Sequence, residues 1–488
     1  MPITQETFEA FLKCKTKAHL YFQRAVGVQS EFSEWQRNLR QKYKETGWER
    51  LRSTVGEDLW FVGTPTLQSL EGRSYRFIID YMVALPEIHS RLHALEMMRS
   101  ASKTRKHLYI PFYFVPSEKV STHDKLILAF EALAFSQIRG KTPGIGRIIH
   151  GCQYTVLTVQ LAGLLDKVRF VLGNLAAQQA RTTAPPLVLN RHCAECEFLS
   201  RCRQTAIEKD DLSLLPNIGE KERKKQNDKG IFTVLQLSYT FRPRRRPAHG
   251  LLKHQPALKA LALRKNQIHI LGMPAISQSG TPVYIDVEGD PDRDFYYLVG
   301  LRIGSGGSAV RHSFWANDPA DERTVCEGCL RVLGMIDSPR LIHYGSYETQ
   351  FLKRMRTRYP DLASPSFLGH LISSALNLLS VIYAHVYFPT YSNALKEVAS
   401  YLGFRWSDGA ASGLTALVWR SQWESSHDPS LKEKLLVYNA EDCEAAEKVT
   451  EALYAICRPL SSQEGPKLTA VNFERFRRHC PTAHLLTR

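Results

Sequence analysis

The sequence predicts an α/β fold spread over more than one domain. Short apolar runs typical of strands alternate with helical patterns in the first 208 residues, and a second series of strands and helices follows residue 280. The chain has 488 residues, more than one ordinary core accommodates, so we expect two or three domains. Its 43% hydrophobic and 23% charged residues are those of a globular protein.

The charge balance is strongly basic. The chain carries 64 Lys and Arg against 48 Asp and Glu, a formal net charge of +16. Such an excess favours association with a polyanion, and nucleic acid is the natural candidate; a merely basic protein is the alternative. No stretch reaches the roughly 18 apolar residues of a membrane span, and residues 1–22 lack the apolar core of a signal peptide, so we expect a cytoplasmic protein without membrane contact.

Composition and pattern divide the chain into four segments. They are an α/β domain at 1–208, a short basic helical connector at 209–275, a second α/β domain at 276–460 and a tail at 461–488. The first segment has predicted strands at Tyr75–Asp80 and Tyr109–Val115. The third predicts, in order, strands Val283–Val287, Tyr296–Ile303 and Val310–Trp315, a helix at 321–335 and strand Arg340–His343. That order suits a mixed sheet covered by helices.

Two acids end the first strand of the third segment. Asp286 and Glu288 follow the apolar run that begins at Pro282, and the alternation of a strand places both carboxylates on one side of it. Two carboxylates on one face repel unless a cation lies between them. Mg²⁺ or Mn²⁺ fits this role, because carboxylate oxygens are preferred ligands of hard cations. Exposed acids at a strand end are the alternative.

A second motif follows on a late helix. Tyr438 and Asp442 are four positions apart and share a helix face. With Asp286 and Glu288 they resemble the third and first motifs of DEDD exonucleases of the tyrosine subtype, in the DnaQ-like ribonuclease H-like superfamily. The resemblance implies two metals that bridge the scissile phosphate, with Asp286, Glu288 and Asp442 as ligands, and a tyrosine that orients the attacking water. A core tyrosine beside a solvated acid is the alternative.

The middle of this segment departs from the pattern. The strand and helix around His343 resemble the family's second motif, but the position of its usual aspartate holds Glu348, whose extra methylene changes its reach. His343 could contact substrate or simply pack. The stretch from Pro389 resembles a helix of the YprB subgroup, and there Ser392 and Lys396 could touch phosphate, with a solvated helix face as the alternative.

Ten cysteines without a secretory signal favour thiols or metal ligands over disulfides. Cys193, Cys196 and Cys202 form a C-x2-C-x5-C pattern, and Cys14 is a plausible fourth ligand. One amino-terminal cysteine with three distant ones resembles the iron-sulfur clasp of RecB-family nucleases. Four thiolates suit a [4Fe-4S] cluster or Zn²⁺. A further C-x-x-C at 326–329 lies in a predicted helix and is interpreted as packing.

The first segment resembles the PD-(D/E)XK fold of RecB-like nucleases. The resemblance implies an aspartate followed by an acid-x-lysine on the next strand; Asp80 fits the first position and Glu96 is the best second acid. Where lysine belongs the chain has Met98, so Arg99, Lys103 or Lys119 would have to replace it. Asp124 occupies the position of the family's later glutamine. These losses favour a degenerate fold that binds DNA or holds the cluster.

The connector carries two basic features. The stretch from Leu214 to Ser238 resembles a helix-hairpin-helix, in which backbone amides near Gly219 could bind phosphate; a solvated linker is the alternative. Arg242 and the arginines at 244–246 would add electrostatic binding to nucleic acid that is independent of its sequence and weakens with salt.

Over nearly its whole length the chain resembles RecB-like nucleases that carry a YprB-type ribonuclease H-like domain. The leading hypothesis is a metal-dependent nuclease that acts on DNA or RNA in the 3′ to 5′ direction. The alternatives are a nucleic-acid-binding scaffold that has lost its chemistry, and a nuclease that uses the Asp80 site.

Overall fold

The structure is a computed structural model that describes residues 1–66, 69, 75–98, 108–181, 183–242, 254–272, 274, 276–457 and 473–476, with the backbone alone for 457 and 473–476. The chain divides into two units. Unit 1 comprises Met1–Cys202 with Pro291–Asp294, and unit 2 comprises Arg203–Asp290 with Phe295–Arg488. Within the described ranges, no helix combines the length and the apolar content that a bilayer crossing needs.

Unit 1 is built around a seven-stranded sheet. Its strands are β1 (Ile3–Thr4), β2 (Trp60–Val62), β3 (Phe77–Ala84), β4 (Ile88–Met98), β5 (Leu108–Val115), β6 (Ile145–His150) and β7 (Thr155–Gln160). Its helices are α1 (Gln5–Lys13), α2 (Lys15–Phe22), α3 (Glu31–Ser53), α4 (Thr122–Arg139), α5 (Ala162–Ala180) and α6 (Leu199–Glu208), of which α6 continues into unit 2. The strands run β2-β3-β4-β5-β6-β7, and β1 pairs with β4.

Both faces of this sheet are covered by helices. Helices α1, α4 and α5 bury apolar residues on one face, and α3 packs on the other through Tyr43. Ile79 belongs to the α3 side, yet Tyr81, two residues later, belongs to the opposite side. Asp80 between them has a φ of 62°, a left-handed conformation that reverses the alternation of the strand. The predicted strand Tyr75–Asp80 thus overlaps the first half of β3, which continues past Asp80 to Ala84.

Unit 2 contains the connector and a second sheet. Its helices are α7 (Glu220–Asn227), α8 (Val234–Ser238), α9 (Pro256–Lys265), α10 (Glu322–Gly334), α11 (Tyr347–Arg358), α12 (Pro365–Ser374), α13 (Leu378–His385), α14 (Leu395–Tyr401), α15 (Gly413–Ser426) and α16 (Pro429–Cys457). Its strands are β8 (Ile268–Leu271), β9 (Thr281–Asp290), β10 (Phe295–Ile303), β11 (Val310–Trp315), β12 (Pro339–His343), β13 (Leu376–Asn377), β14 (Val386–Tyr387) and β15 (Phe473–Phe476).

The main sheet of unit 2 is mixed, which confirms the predicted class. It runs β11-β10-β9-β12-β13; β9 and β11 are antiparallel to β10, whereas β12 is parallel to β9 and β13. The predicted strands and the helix of this segment coincide with β9, β10, β11, α10 and β12 to within a few residues. Helix α10 buries Cys326 and Cys329 in the core, as predicted.

The connector folds as part of unit 2. Helices α7 and α8 lie where a helix-hairpin-helix is predicted, and a small apolar cluster that includes Leu215, Val234 and Ala260 joins α8 to α9. From the predicted tail at 461–488, the structure describes only β15, which pairs in parallel with β8. A second sheet, β14-β8-β15, results.

Candidate active site

Asp286 and Glu288 lie on β9, the central strand of the five-stranded sheet. Val283, Ile285 and Val287 alternate with them and are buried in the core between the sheet and its helices. The apolar residues hold the strand in place, and the two acids therefore project from the opposite face, as the sequence predicts.

Helix α16 brings a third acid to this face. One oxygen from each of Asp286, Glu288 and Asp442 lies within 4.8 Å of the others, and all three residues are partly buried. Tyr438 precedes Asp442 by one helical turn, and each of the two groups shifts the pKa of the other. We call Asp286, Glu288 and Asp442 the acidic triad.

Neutral side chains hold the acidic triad. Asn439 Nδ2 donates to Asp286 Oδ2 at 2.5 Å and to the Asp286 carbonyl oxygen at 3.1 Å, and Trp406 Nε1 donates to Asp442 Oδ1 at 2.7 Å. Gly300 pairs with Asp286 across the sheet, and a Cβ there would lie 1.9 Å from Asn439 Oδ1. A glycine at this position therefore permits the close approach of Asn439.

Sequence reasoning missed these supporting residues. Asn439 stands between Tyr438 and Asp442 in the same motif, so its position on the inner side of α16 was available from the helical period. Trp406 and Gly300 carry no such local signal, because packing alone brings them to the acids.

Burial and mutual repulsion raise the pKa values of the acidic triad. Burial is the largest cause at Asp286, followed by the charges of Asp442 and Glu288, and it holds the Asp286 pKa well above its ordinary value. Burial and the same kind of repulsion raise the pKa of Glu288 to about 8. Burial raises the pKa of Asp442 to about 6 against the opposing hydrogen bonds from Trp406 and Tyr438. Three ionised carboxylates thus need a cation among them.

The structure places Glu348 beside the acidic triad. Glu348 lies in the first turn of α11, is only 4% exposed, and its charge adds to the repulsion at Asp286 and Glu288. Its Oε2 lies 3.2 Å from Nδ1 of His343, but the angle is too poor for a hydrogen bond, so neither atom has a hydrogen-bond partner among the described residues. Glu348 can therefore offer an oxygen to a metal, although it falls outside the 4.8 Å set.

Lys396 lies close to the acidic triad. Its Nζ donates to the carbonyl oxygen of Ala411 and sits over the rings of Trp406 and Tyr438, at 5.2 and 5.6 Å from their centroids. Its charge lowers the pKa of Asp442. Lys396 thus places a positive charge at the edge of the site without forming an ion pair with the triad.

Ser392 takes part in local structure. Its backbone N–H donates to Glu397 Oε2 at 2.8 Å, and its hydroxyl accepts from the Ala394 N–H at 3.2 Å. The hydroxyl therefore organises the start of α14.

The acids predicted in unit 1 have arginine partners. Asp80 accepts from Arg91 Nε at 2.7 Å and Nη2 at 2.5 Å, and Glu96 pairs with Arg76 at 2.6 Å and with Arg147. Among the described residues, neither acid belongs to a group of three ligands close enough to hold one ion.

The structure describes only some of the candidates for the missing lysine. Arg99 and Lys103 lie outside the described residues, and Met98 ends β4. Asp124 instead caps α4, because its Oδ2 accepts from the Ser121 N–H at 2.7 Å. The sequence did not indicate Lys44 on α3 as a neighbour of Asp80. Burial lowers the pKa of Lys44, and the nearby charge of Asp80 opposes this shift only in part.

The cysteine-bearing segment is tied to the first helices of unit 1. Glu197 accepts from Lys17 Nζ at 2.7 Å and from the Tyr21 hydroxyl at 2.6 Å. Asn190 Nδ2 donates to the carbonyl oxygen of Lys13 at 3.3 Å. These contacts bring the distant cysteines to the residue that follows α1, which is Cys14.

The four predicted ligands form one group of thiols. Burial is the largest cause that raises the pKa of Cys202 to about 11, followed by the charges of Cys196, Cys14 and Cys193. All are partly buried and free of disulfides. No three of these sulfurs, however, come within 4.8 Å of one another.

The basic connector is described in part. Arg242 Nη1 donates to the carbonyl oxygens of Tyr239 and Phe241 at 2.8 and 3.0 Å. Arg244, Arg245 and Arg246 lie outside the described residues. Gly219 precedes the first residue of α7, whose first turn carries two acids, Glu220 and Glu222.

Comparison with known proteins identifies the class of the second domain. Residues 283–454 match the RNase_H_2 family of the RNase H superfamily, and this range contains the acidic triad, Glu348 and Tyr438. Unit 2 therefore contains an RNase H-like domain, and such a domain with an acidic triad indicates a metal-dependent nuclease with a nucleic-acid substrate. No curated protein matches the chain.

Proposed function

We propose that the RNase H-like domain is a Mg²⁺- or Mn²⁺-dependent exonuclease that removes nucleotides in the 3′ to 5′ direction. The observation that carries the proposal is the acidic triad, whose three oxygens lie within 4.8 Å. In the described part of the chain, no lysine or arginine forms an ion pair with these acids. A pair of bound divalent cations would neutralise the attacking and leaving oxygens of phosphodiester hydrolysis.

The residues around the metals have separate roles. Asp286, Glu288 and Asp442 would hold the metals, and Glu348 would be a fourth ligand. Asn439 and Trp406 position Asp286 and Asp442. These neutral donors fix the carboxylates without cancelling the charge that attracts a cation.

Tyr438 would orient the attacking water. Burial and the neighbouring Asp442 raise the pKa of its hydroxyl, so it keeps its proton at neutral pH. Lys396, held over the Tyr438 ring, would face the phosphate.

The test is digestion of 5′-labelled single-stranded and duplex DNA and RNA with Mg²⁺ or Mn²⁺. Wild type should produce a ladder that starts at the 3′ end and disappears with a chelator. Asp286→Ala and Asp442→Ala should lower kcat/KM by about 1,000-fold, since the bound metal supplies several kcal/mol of transition-state stabilisation. Glu444→Ala is the matched control, because Glu444 lies on the same helix and pairs with Arg311 instead.

Two results would redirect the proposal. Equal digestion by wild type, Asp286→Ala and Asp442→Ala would remove the triad from catalysis, and loss of cutting in Asp80→Ala would assign the chemistry to a RecB-like site in unit 1. Salt-sensitive binding without metal-dependent cutting would leave a nucleic-acid-binding scaffold, which the net charge of +16 favours.

We further propose that Cys14, Cys193, Cys196 and Cys202 hold a [4Fe-4S] cluster in a clasp of the RecB type. A Zn–S bond of about 2.3 Å would place four sulfurs about 3.8 Å apart, whereas no three of these sulfurs lie within 4.8 Å of one another. A [4Fe-4S] cluster is larger than a single ion, so the four thiolates that would hold it could lie farther apart than zinc ligands.

Metal analysis of anaerobically purified protein tests the cluster. Brown protein with iron and absorbance near 400 nm, lost in Cys202→Ser, is expected. Colourless protein with one equivalent of zinc would show that the four cysteines bind Zn²⁺ instead of a cluster. Protein with neither metal would contradict the site.

A further inference from the structure

A cavity of about 610 Å³ lies in unit 2, where the connector meets the RNase H-like domain. We call it the connector cavity. Its walls come from α8 and α9, from the loop that joins β14 to α14, and from α14 itself. None of the three acids of the acidic triad is among the described residues that line it. The volume lies within the roughly 300–1,000 Å³ of small-molecule sites, so this cavity can hold a small organic molecule.

Apolar side chains form much of the cavity wall. Val234, Leu235, Ala260 and Leu263 line it from the connector, and Pro389 lines it from the loop. Leu235 is 50% exposed, although Val234 beside it is only 4% exposed. Because Leu235 is in contact with water, an apolar group that displaced this water would bind favourably. The wall therefore suits a ligand with an apolar or aromatic body.

Arg264 adds a cation to the wall of the connector cavity. Its guanidinium lies 4.0 Å from the centroid of the Tyr239 ring. Within the part of the chain that the structure describes, this guanidinium forms no hydrogen bond or ion pair. A guanidinium that stacks on a ring keeps its in-plane N–H donors free, and these match the oxygens of a phosphate in pairs. Arg264 is therefore suited to the anionic group of a ligand.

Asp210 offers an acceptor in the same cavity. Its Oδ2 accepts from the Leu235 N–H at 2.7 Å, whereas its Oδ1 has no hydrogen-bond partner among the described residues and is not enclosed. The other acid of the wall, Glu397, is occupied, because it accepts from Arg203 Nη2 at 3.2 Å and from the Ser392 N–H at 2.8 Å. A fixed carboxylate with one free oxygen suits a ligand hydroxyl, as in the dinucleotide-binding folds that bind ribose in this way.

Tyr391 supplies an aromatic surface. The residue is partly buried in the cavity wall, and the guanidinium of Arg203 lies 5.9 Å from its ring centroid. Its hydroxyl has no partner in the described ranges and remains accessible. Tyrosine rings stack on nucleic-acid bases of any kind, since every base has a π-face. The cavity thus combines a surface for a base, a cation for a phosphate and an acceptor for a sugar hydroxyl.

We propose that the connector cavity binds a ribonucleoside monophosphate. The base would lie against Leu235 and Tyr391, the phosphate would bind Arg264, and a ribose hydroxyl would donate to Asp210. This site goes beyond the proposed nuclease function, because it requires neither a metal nor the cutting of a strand.

Calorimetric titration tests the site. The full-length protein is titrated separately with AMP, CMP, GMP and UMP in the presence of a chelator. The chelator keeps metal from the acidic triad, beside which Lys396 of the cavity wall also lies. Saturable binding of at least one of the four, with one molecule per chain, is expected. Absence of binding for all four would overturn the inference.

Arg264→Met tests the phosphate contact. Methionine keeps part of the side-chain length and loses the charge, so the Kd of the bound nucleotide should rise about 10-fold. Arg356→Met is the matched control, because Arg356 is an exposed arginine on α11 outside the lining, and its Kd should stay within about 2-fold of wild type. Equal Kd values for Arg264→Met and wild type would overturn the inference.

Asp210→Asn tests the sugar contact. Asparagine keeps an oxygen for the Leu235 N–H but replaces the free acceptor with an N–H donor. The wild type should bind the ribonucleotide about 5-fold more tightly than the matching deoxyribonucleotide, and the variant should bind both equally. A wild type without this preference would overturn the assignment to a ribonucleotide.

Leu235→Glu tests the apolar wall by an independent route. Because Leu235 is half exposed, the substitution should leave the fold intact, while its carboxylate repels the phosphate and takes the place of the base. Kd should rise about 10-fold. Phe232→Glu is the control, since Phe232 is 54% exposed close by in the sequence but lies outside the lining. Equal effects of the two variants would indicate a general effect of charge and overturn the cavity assignment.

Asp286→Ala separates the cavity from the acidic triad. In the chelator this variant should bind the nucleotide with the Kd of wild type, because Asp286 does not line the cavity. Loss of binding would place the nucleotide at the acidic triad and overturn the inference. If the nucleotide binds as expected but the wild type cuts no nucleic acid, the nuclease proposal fails and the cavity assignment stands.

Discussion

Both units carry pairs of acids on neighbouring strands or helices, but they neutralise them differently. In unit 1, Glu96 is 2% exposed and engages Arg76 and Arg147, while both oxygens of Asp80 accept from Arg91. In unit 2, Asp286 and Asp442 of the acidic triad accept hydrogen bonds from the neutral donors Asn439 and Trp406. A permanent cation completes the first arrangement, whereas the second needs a cation from solution.

The difference teaches how to interpret a predicted pair of acids. An acid on a strand indicates a metal site only when no arginine reaches it, because a guanidinium fills the same electrostatic role and blocks both oxygens. By this criterion the acids in the described part of unit 1 are structural, and the acidic triad of unit 2 is the candidate metal site.

The largest effect on stability is expected from the loss of Glu96. Glu96→Ala leaves two guanidinium groups side by side against the sheet and should lower the free energy of unfolding by about 2–4 kcal/mol, less than for a fully buried pair because Arg76 is 52% exposed. Chemical denaturation of the full-length protein measures the change.

Asp80→Asn is the control for this prediction. Its partner Arg91 is 61% exposed, so the ion pair should contribute less than about 1 kcal/mol, and asparagine tolerates the left-handed φ of this position. If both variants lowered the free energy of unfolding equally, the ion pairs of Glu96 would contribute no more to stability than a surface ion pair.

In unit 2, replacement of an acid should stabilise the metal-free protein instead of destabilising it. Asp286→Asn removes one of the mutually repelling charges, keeps an oxygen for Asn439, and should raise the metal-free free energy of unfolding by about 1 kcal/mol. Mn²⁺ at 100 times its Kd should stabilise the wild type by about 2.7 kcal/mol and the variant far less. Thermal unfolding with and without Mn²⁺ measures both changes.

The same prediction has a pH dependence. Burial and like charges raise the folded-state pKa of Glu288 from 4.5 to about 8, so the folded protein keeps a proton that the unfolded chain releases. Without metal, the free energy of unfolding should therefore fall as the pH rises from about 5 to about 8, and less so in Asp286→Asn. A metal-free wild type that gains stability over this range would contradict the repulsion.

Local pattern accounted for much of the second domain and less of the first. Asp286 and Glu288 share a face because β9 alternates regularly, and Tyr438 and Asp442 share one because α16 is a continuous helix. The regular alternation fails at Asp80, where a left-handed residue reverses the strand.

The sequence by itself determined the order of strands and helices, the pairing of acids within single elements and the basic charge, since these depend on neighbours a few residues apart. Only the tertiary structure decided which acids receive arginines and that Asn439 and Trp406 position Asp286 and Asp442. Each of these contacts joins residues more than 30 positions apart or, for Arg91 and Arg76, joins β4 to β3 or to the residue just before β3. Packing, which no local period encodes, brings them together.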